Sequence, residues 1–329
     1  MNKLTTLFFS ILFAGSLKAV TVVPVPDGSA LEGFATDDAA WCWFSDPRAV
    51  YHKGAREQVY YGYVNSRGDI GVSSIDLKTG KQELFMLHSE LQVDDHNVPT
   101  FLFLPDGKLL AFYNHHNGNI FMRKSRYPES VREWEAEVVI LQQDSVNRYC
   151  YTNPVMLSGE NNRIYLFGRN IVRNKTGTYT DTRIYAIYSD DYGKSWSSEI
   201  NLFENQGRNT PQYVKYASDN KSRIFTNGHP KQGVDISVYH TYYQDGVFRQ
   251  TNGTTICTFG ETPIAIAEVD KVYDAVRNGE RAWIWDIALD PENHPVVTYA
   301  RYPSEMEHRY HYARWDGTRW NDQFVTNAG

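Results

Sequence analysis

From Trp41 onward the chain alternates apolar and polar residues in short runs, each closed by a turn-forming pair such as Asp-Gly, Asn-Gly or Gly-Lys. "EQVYYGYV", "GDIGVSSID", "KLLAFYNH", "NRIYLFGRN", "TRIYAIYSD", "DISVYHTYY", "RAWIWDIAL" and "HPVVTYARY" are examples. A period of two places one side-chain set on each face of an extended chain, so these runs predict β-strands. One segment departs from the pattern. "PIAIAEVDKVYDAV" (263–276) predicts a helix, inserted at the periphery of an otherwise all-β chain.

The strands recur as units that begin near Trp41, His96, Asn153, Tyr213 and Trp283, roughly 55–70 residues apart. Repeated antiparallel units close best as a ring of four-stranded blades, a β-propeller with short protected edges. A two-sheet sandwich would not explain the recurrence. About five blades are expected. "YSDDYGKSWS" fits the Asp box of bacterial neuraminidase repeats, S-x-D-x-G-x-x-W, through Ser189, Asp191, Gly193 and Trp196. In such a turn the carboxylate satisfies backbone donors, glycine allows positive φ, and tryptophan packs beneath. This is a structural motif, and "ARWDGTRWND" is a degenerate relative.

Residues 1–20 read as a secretory signal: Lys3, an apolar run from Leu7 to Phe13, and small residues around Ser16 and Ala19. The expectation is a secreted or periplasmic protein with a single domain over 21–329. No segment reaches the ~18 apolar residues of a membrane span. The net charge of −6 has no basic stripe, which argues against a nucleic-acid partner. Tyrosine (23) and tryptophan (8) suit strands, and they also make platforms for sugar rings. Cys42, Cys150 and Cys257 are too far apart for metal-finger spacing, and buried free thiols are expected.

Candidate chemistry collects at strand ends. In "DDHNVPTFLFLPDGKLLAFYNHHN" a plain hairpin pattern carries His96-Asn97 at one end and His115-His116 at the other. Arg169-Asn170, Tyr213, His229 and Arg301 fall at comparable joins of other units. The inner strands of a propeller converge on its axis, so such joins can build one concave site. Taken singly, a histidine beside asparagine is more often a turn stabiliser. His115 and His116 alternate sides, so at most one can face a common site.

"WCWFSDPRAVYH", "DDHNVPTFLFLPDGKLLAFY", "TNPVMLSGENNRIYLFGRN", "YVKYASD", "NGHP" and "AWIWDIALD" together resemble the BNR-repeat proteins that include ulvan lyases and enzymes acting on rhamnosyl-glucuronate linkages. The resemblance spans about residues 35–325. It implies a seven-bladed propeller, so five blades here would be a shorter form or a truncated ring. By motif it places catalytic roles on His96, Tyr151, Arg169 and Tyr213, with Tyr149 as a rival to Tyr151. Asn97, His115, His116, His229 and Arg301 are the substrate-binding candidates.

The residue types suit β-elimination at a uronate. Arginine neutralises the carboxylate, histidine or tyrosine takes the C5 proton, and tyrosine protonates the leaving oxygen. A glycosidase instead usually needs two carboxylates across the bond, and these joins are poor in Asp and Glu. The expected function is therefore a polysaccharide lyase acting on an acidic, rhamnose-rich glycan such as ulvan. The alternatives are a rhamnosidase-like or sialidase-like hydrolase, or a non-catalytic glycan-binding propeller. A monomer needing no cofactor is expected. A structural divalent cation is compatible with the His-rich joins, although no ligand spacing establishes one.

Overall fold

The computed structural model describes residues 38–174, 176–205, 212–230 and 236–328, without the side chains of 227, 229 and 230. The signal-like residues 1–20 lie outside the described residues. Among the described residues twenty-two strands form five antiparallel sheets arranged as a ring, a β-propeller. The first blade holds β1 (Ala49–Lys53), β2 (Glu57–Val64), β3 (Ile70–Asp76) and β4 (Gln82–His88). The second holds β5 (Thr100–Phe103), β6 (Leu109–Asn114), β7 (Ile120–Lys124) and β8 (Val138–Leu141). The third holds β9 (Asn147–Leu157), β10 (Arg163–Arg173), β11 (Tyr179–Ser189) and β12 (Ile200–Asn201).

The fourth blade differs from the four-stranded expectation. It contains β13 (Gln212–Ser218), β14 (Arg223–Pro230), β15 (Val238–Gln244), β16 (Val247–Arg249), β17 (Thr255–Thr258) and β18 (Asp270–Tyr273). The fifth returns to four: β19 (Arg281–Leu289), β20 (Pro295–Ser304), β21 (Glu307–Trp315) and β22 (Trp320–Asn327). Among the described residues no helix is long and apolar enough to cross a membrane.

The expected helix over 263–276 is corrected. This segment carries one 3-10 turn, Ile266–Glu268, and then β18; a four-residue α-helix, Ala275–Asn278, follows it. The cause is an open flank on β15. Its C-terminal half pairs with β16 through Tyr242–Gln244, and its N-terminal half, Val238–His240, is free for β18. Ladder hydrogen bonds and burial of Val272 and Tyr273 outweigh the weak helical spacing of the segment.

The core lies between blades. Leu110, Phe112, Ile120 and Met122 of the second blade interdigitate with Ile164, Leu166, Tyr185 and Ile187 of the third. Phe167 and Ile184 of the third meet Val214, Tyr243 and Phe248 of the fourth. Because both faces of a blade are covered, central strands such as β6, "LLAFYN", are buried at every position. Between the first and fifth blades, the Trp43 indole donates to the Trp285 carbonyl at 2.7 Å, with the two rings edge-on at 4.0 Å. Cys42 and Cys150 are buried free thiols, and Cys257 is half-buried and free.

The Asp box is a turn device. Gly193 N–H donates to Ser189 Oγ (2.9 Å), Ser195 N–H donates to Asp191 Oδ1 (2.9 Å), and Trp196 stands edge-on to Phe112 of the neighbouring blade. Gly193 has φ +85, and a Cβ there would come within 3.0 Å of Met122 Sδ. Asp316 repeats the scheme in the fifth blade, accepting from Thr318 and Arg319 N–H.

Between β9 and β10 the register slips. Phe167 pairs with Asn153 and Arg169 with Cys150, so Tyr151 and Thr152 together oppose Gly168. This β-bulge puts Tyr151 at φ +68, a conformation a bulky residue adopts only under constraint. Gly168 is required here, since a Cβ would lie 2.6 Å from Tyr185 Oη and 2.7 Å from the Tyr151 carbonyl oxygen.

Two outcomes test this account. Gly168→Ala should lower the unfolding free energy by about 1–3 kcal/mol, read as a lower urea midpoint at unchanged slope. Asp191→Ala should cost about 1–3 kcal/mol near neutral pH. The Asp191 carboxyl is held down at about 2, chiefly by hydrogen bonds from Ser195. A carboxyl depressed in the folded state stabilises fully above its ordinary value of about 4 and loses that contribution as pH falls through the folded value. The gap between wild type and variant should therefore narrow between about pH 4 and pH 2.

Candidate active site

Five side chains from different parts of the chain meet beside the bulge. Arg169 forms the floor, 3 % exposed, its guanidinium 4.6 Å over the Tyr151 ring and 5.3 Å over that of Tyr213. Tyr151 stacks on His96 (5.4 Å), and His96 stacks on His116 at 3.8 Å with the rings 3° from parallel. Phe44 packs on Tyr213 at 4.4 Å, and Trp283 closes the far side at 5.1 Å. The imidazoles form the rim, their side chains 24 % and 30 % exposed.

Local structure fixes each of these. The bulge turns Tyr151 onto Arg169, whereas Tyr149 packs against Tyr185 in the core between blades. His96 sits in a single 3-10 turn, Asp95–Asn97, capped by Asp94, which accepts from His96 N–H at 2.9 Å. His116 is held by its own N–H, which donates to Gln92 Oε1 at 2.8 Å.

Not every candidate joins the group. His115, just past the end of β6, packs against Phe121 at 5.3 Å. Arg301 lies over Tyr273 at 4.2 Å and pairs with Asp322 of its own blade. Asn97 is fully buried and donates to the Gln92 carbonyl at 2.9 Å, which supports the loop that carries His96. The His229 side chain lies outside the described residues. Sequence reasoning missed Phe44 and Trp283 as walls and Asp94 as the group that joins the histidines; the "WCWF" run and the Asp-Asp pair were the available signals.

Arg169 defines the electrostatics. Among the described residues it has no carboxylate partner, and its Nε and Nη1 are buried without a hydrogen-bond partner. Burial works against its charge, but Tyr151, Cys150 and Tyr213 around it raise its pKa above the ordinary value. By contrast Lys215, equally buried, is neutralised by Asp46 and donates to the Trp43 carbonyl at 2.7 Å. Burial raises the Tyr151 phenol far above its usual range, against the pull of Arg169, so it is a proton donor at neutral pH. Burial, then the charges of His96 and Arg169, lowers His116 despite Asp94. Burial pushes the Cys42 thiol up to about 12 and Cys150 to about 11, which leaves both un-ionised and poorly nucleophilic.

Two overlapping groups place possible cation ligands within 4.8 Å of one another: Asp94, His96 and His116, and Cys42, Asp95 and His96. Both contain His96, whose Nδ1 already lies 2.7 Å from Asp94 and 2.8 Å from Asp95. The group as a whole offers a cationic floor, the neutral phenol of Tyr151 and two imidazoles. Such a site can hold an anion and move a proton beside it.

The comparisons agree with this architecture. An ulvan lyase described as a new family of polysaccharide lyase, solved free and bound to -[GlcA(1-4)Rha3S]-, superposes with a TM-score of 0.69 at 16 % identity. The match covers 87 % of this chain and 72 % of that one. A protein of unknown function from Dyadobacter fermentans superposes at TM-score 0.53 and 13 % identity, over 89 % of this chain and 84 % of that one. Among curated proteins, none matches the sequence significantly. Residues 58–328 match the BNR repeat-containing family. With most of its length matched and its blades carrying that repeat, the chain belongs to the BNR repeat-containing family.

Proposed function

We propose that the protein is a secreted polysaccharide lyase that cleaves an acidic, uronate-containing, rhamnose-rich glycan by β-elimination. The observation that carries this reading is Arg169: a buried guanidinium with two unpartnered nitrogens and no carboxylate partner among the described residues. A buried cation without a counter-ion is costly. A substrate carboxylate would supply the missing charge through a bidentate pair of hydrogen bonds. The shared fold of the ulvan lyase, whose bound oligosaccharide contains a uronate, supports the same substrate class.

In this reading Arg169 holds the uronate carboxylate and stabilises the enolate-like charge that develops on it. His96 takes the proton from C5. The freed electron pair forms the C4–C5 double bond as the C4–O bond breaks. The Tyr151 phenol, kept neutral by burial, gives its proton to the departing oxygen. Tyr213, packed between Phe44 and Trp283, lines the sugar-facing wall. A two-carboxylate hydrolysis finds less support, because Asp94 and Asp95, the carboxylates beside His96, are both engaged by its Nδ1.

The test is ultraviolet absorbance of the unsaturated uronate end, measured on a panel of uronate polymers. Saturated products, or none, would exclude a lyase. Arg169→Lys and His96→Ala should each lower turnover on the order of 10²–10³-fold, since a point charge cannot reproduce the guanidinium fork. Tyr151→Phe keeps the ring beneath Arg169 but removes the proton donor. It should melt like wild type and lose ~10²–10⁴-fold in kcat.

A further inference from the structure

The stacked histidines share one partner. Asp94 Oδ1 lies 2.7 Å from His96 Nδ1, and Asp94 Oδ2 lies 2.8 Å from His116 Nδ1. An ionised carboxylate only accepts, so each Nδ1 it contacts must carry the hydrogen. A neutral imidazole has a single N–H, which leaves Nε2 of each ring as the bare lone pair. We infer that Asp94 is the positioning residue of the site, one carboxylate that locks both imidazoles in the Nδ1–H tautomer and presents both Nε2 atoms as proton acceptors. This inference rests on the lyase reading for its purpose and on the geometry alone for its content.

Two further features fit it. Burial raises the Asp94 carboxyl, but hydrogen bonds from His96 N–H, His116 and His96 outweigh that, and the net displacement is downward, toward the acceptor-only form. Face-to-face rings at 3.8 Å also cannot both become cations cheaply, with Arg169 at the base of the stack. The groups facing the pair are Asp94 and Asp95 from their own loop, Cys42 from the segment before β1, Tyr151 from β9 and Arg169 from β10. Of these only Asp94 touches both rings. With both Nδ1 hydrogens held by Asp94, the acceptor left on each ring is Nε2.

The decisive measurement needs no substrate. Protein labelled with ¹⁵N-histidine, in chelator-treated buffer, reports the protonation of each ring nitrogen through long-range proton–nitrogen correlations. Both His96 and His116 should show a protonated Nδ1 and an unprotonated Nε2. In Asp94→Asn one oxygen becomes an NH₂ donor, so the ring facing it must surrender its Nδ1 hydrogen and carry it on Nε2. That variant should lose on the order of 10²–10⁴-fold in kcat on a uronate polymer, with KM changed less than about twofold. Asp94→Glu, which keeps a carboxylate, should recover part of the loss and the wild-type tautomers. A wild type with either ring in the Nε2–H form overturns the proposal, and so do nitrogen shifts of a metal-bound Nδ1 pair. An Asp94→Asn protein that keeps both tautomers and full turnover overturns it as well. A wild type with the expected tautomers but no turnover of any uronate polymer leaves the tautomer assignment standing and removes the lyase reading instead.

Discussion

A guanidinium buried without a counter-ion governs the site. Arg169 cannot shed its proton, and no carboxylate among the described residues reaches it. The structure compensates with the π-faces of Tyr151 and Tyr213, which offer partial negative charge while Nε and Nη1 keep no hydrogen-bond partner. Everything around follows from keeping those rings in place. The bulge that turns Tyr151, the glycine that permits the bulge, and the Phe44 and Trp283 walls on Tyr213 all hold aromatic surface against one cation. Arg301 shows the ordinary solution to the same problem, a carboxylate within its own blade.

The segment before β1 ties this local arrangement to the whole ring. Asn153 of β9 donates to the Phe44 carbonyl at 3.1 Å and accepts from Asp46 N–H at 3.1 Å. Lys215 of β13 reaches the Trp43 carbonyl and the Asp46 carboxylate, and Trp285 of β19 accepts from the Trp43 indole. Arg48 lies over Trp41 at 4.6 Å and donates to the Cys42 carbonyl at 2.8 Å. Trp43, Phe44 and Asp46 thus contact the third, fourth and fifth blades together. Phe44, a wall of the site, belongs to the same segment that bridges the blades.

The propeller was legible because a strand buried on one or both faces leaves a period of two, and the turn residues between runs are chemically distinct. The meeting of His96, Arg169 and Tyr213 was legible for a geometric reason: repeated units bring equivalent ends to one axis. Parity arguments fail at a bulge. One extra residue reverses which side chain faces where, so sequence alone could not choose between Tyr149 and Tyr151. The helix expected over 263–276 failed because the free flank of β15, a tertiary feature, decided the conformation. Asp94 stood in plain view beside His96, with no role assigned to it from sequence. Only the stacking of two rings from opposite ends of a hairpin reveals that it serves both.

The divided flank of β15 has a further consequence. From β16 the chain continues into β17, the outer strand of the sheet, and then returns as β18 beside the other half of β15. The return is pinned where Thr251 N–H meets the Asp270 carboxylate at 2.5 Å and Thr251 Oγ1 meets His240 Nδ1 at 2.8 Å. With both ends anchored to one strand, the excursion behaves as a cassette. Its length and sequence can drift during evolution while the strands that reach the axis keep their register, and so a lineage can remodel the perimeter of the fourth blade without disturbing chemistry at the hub.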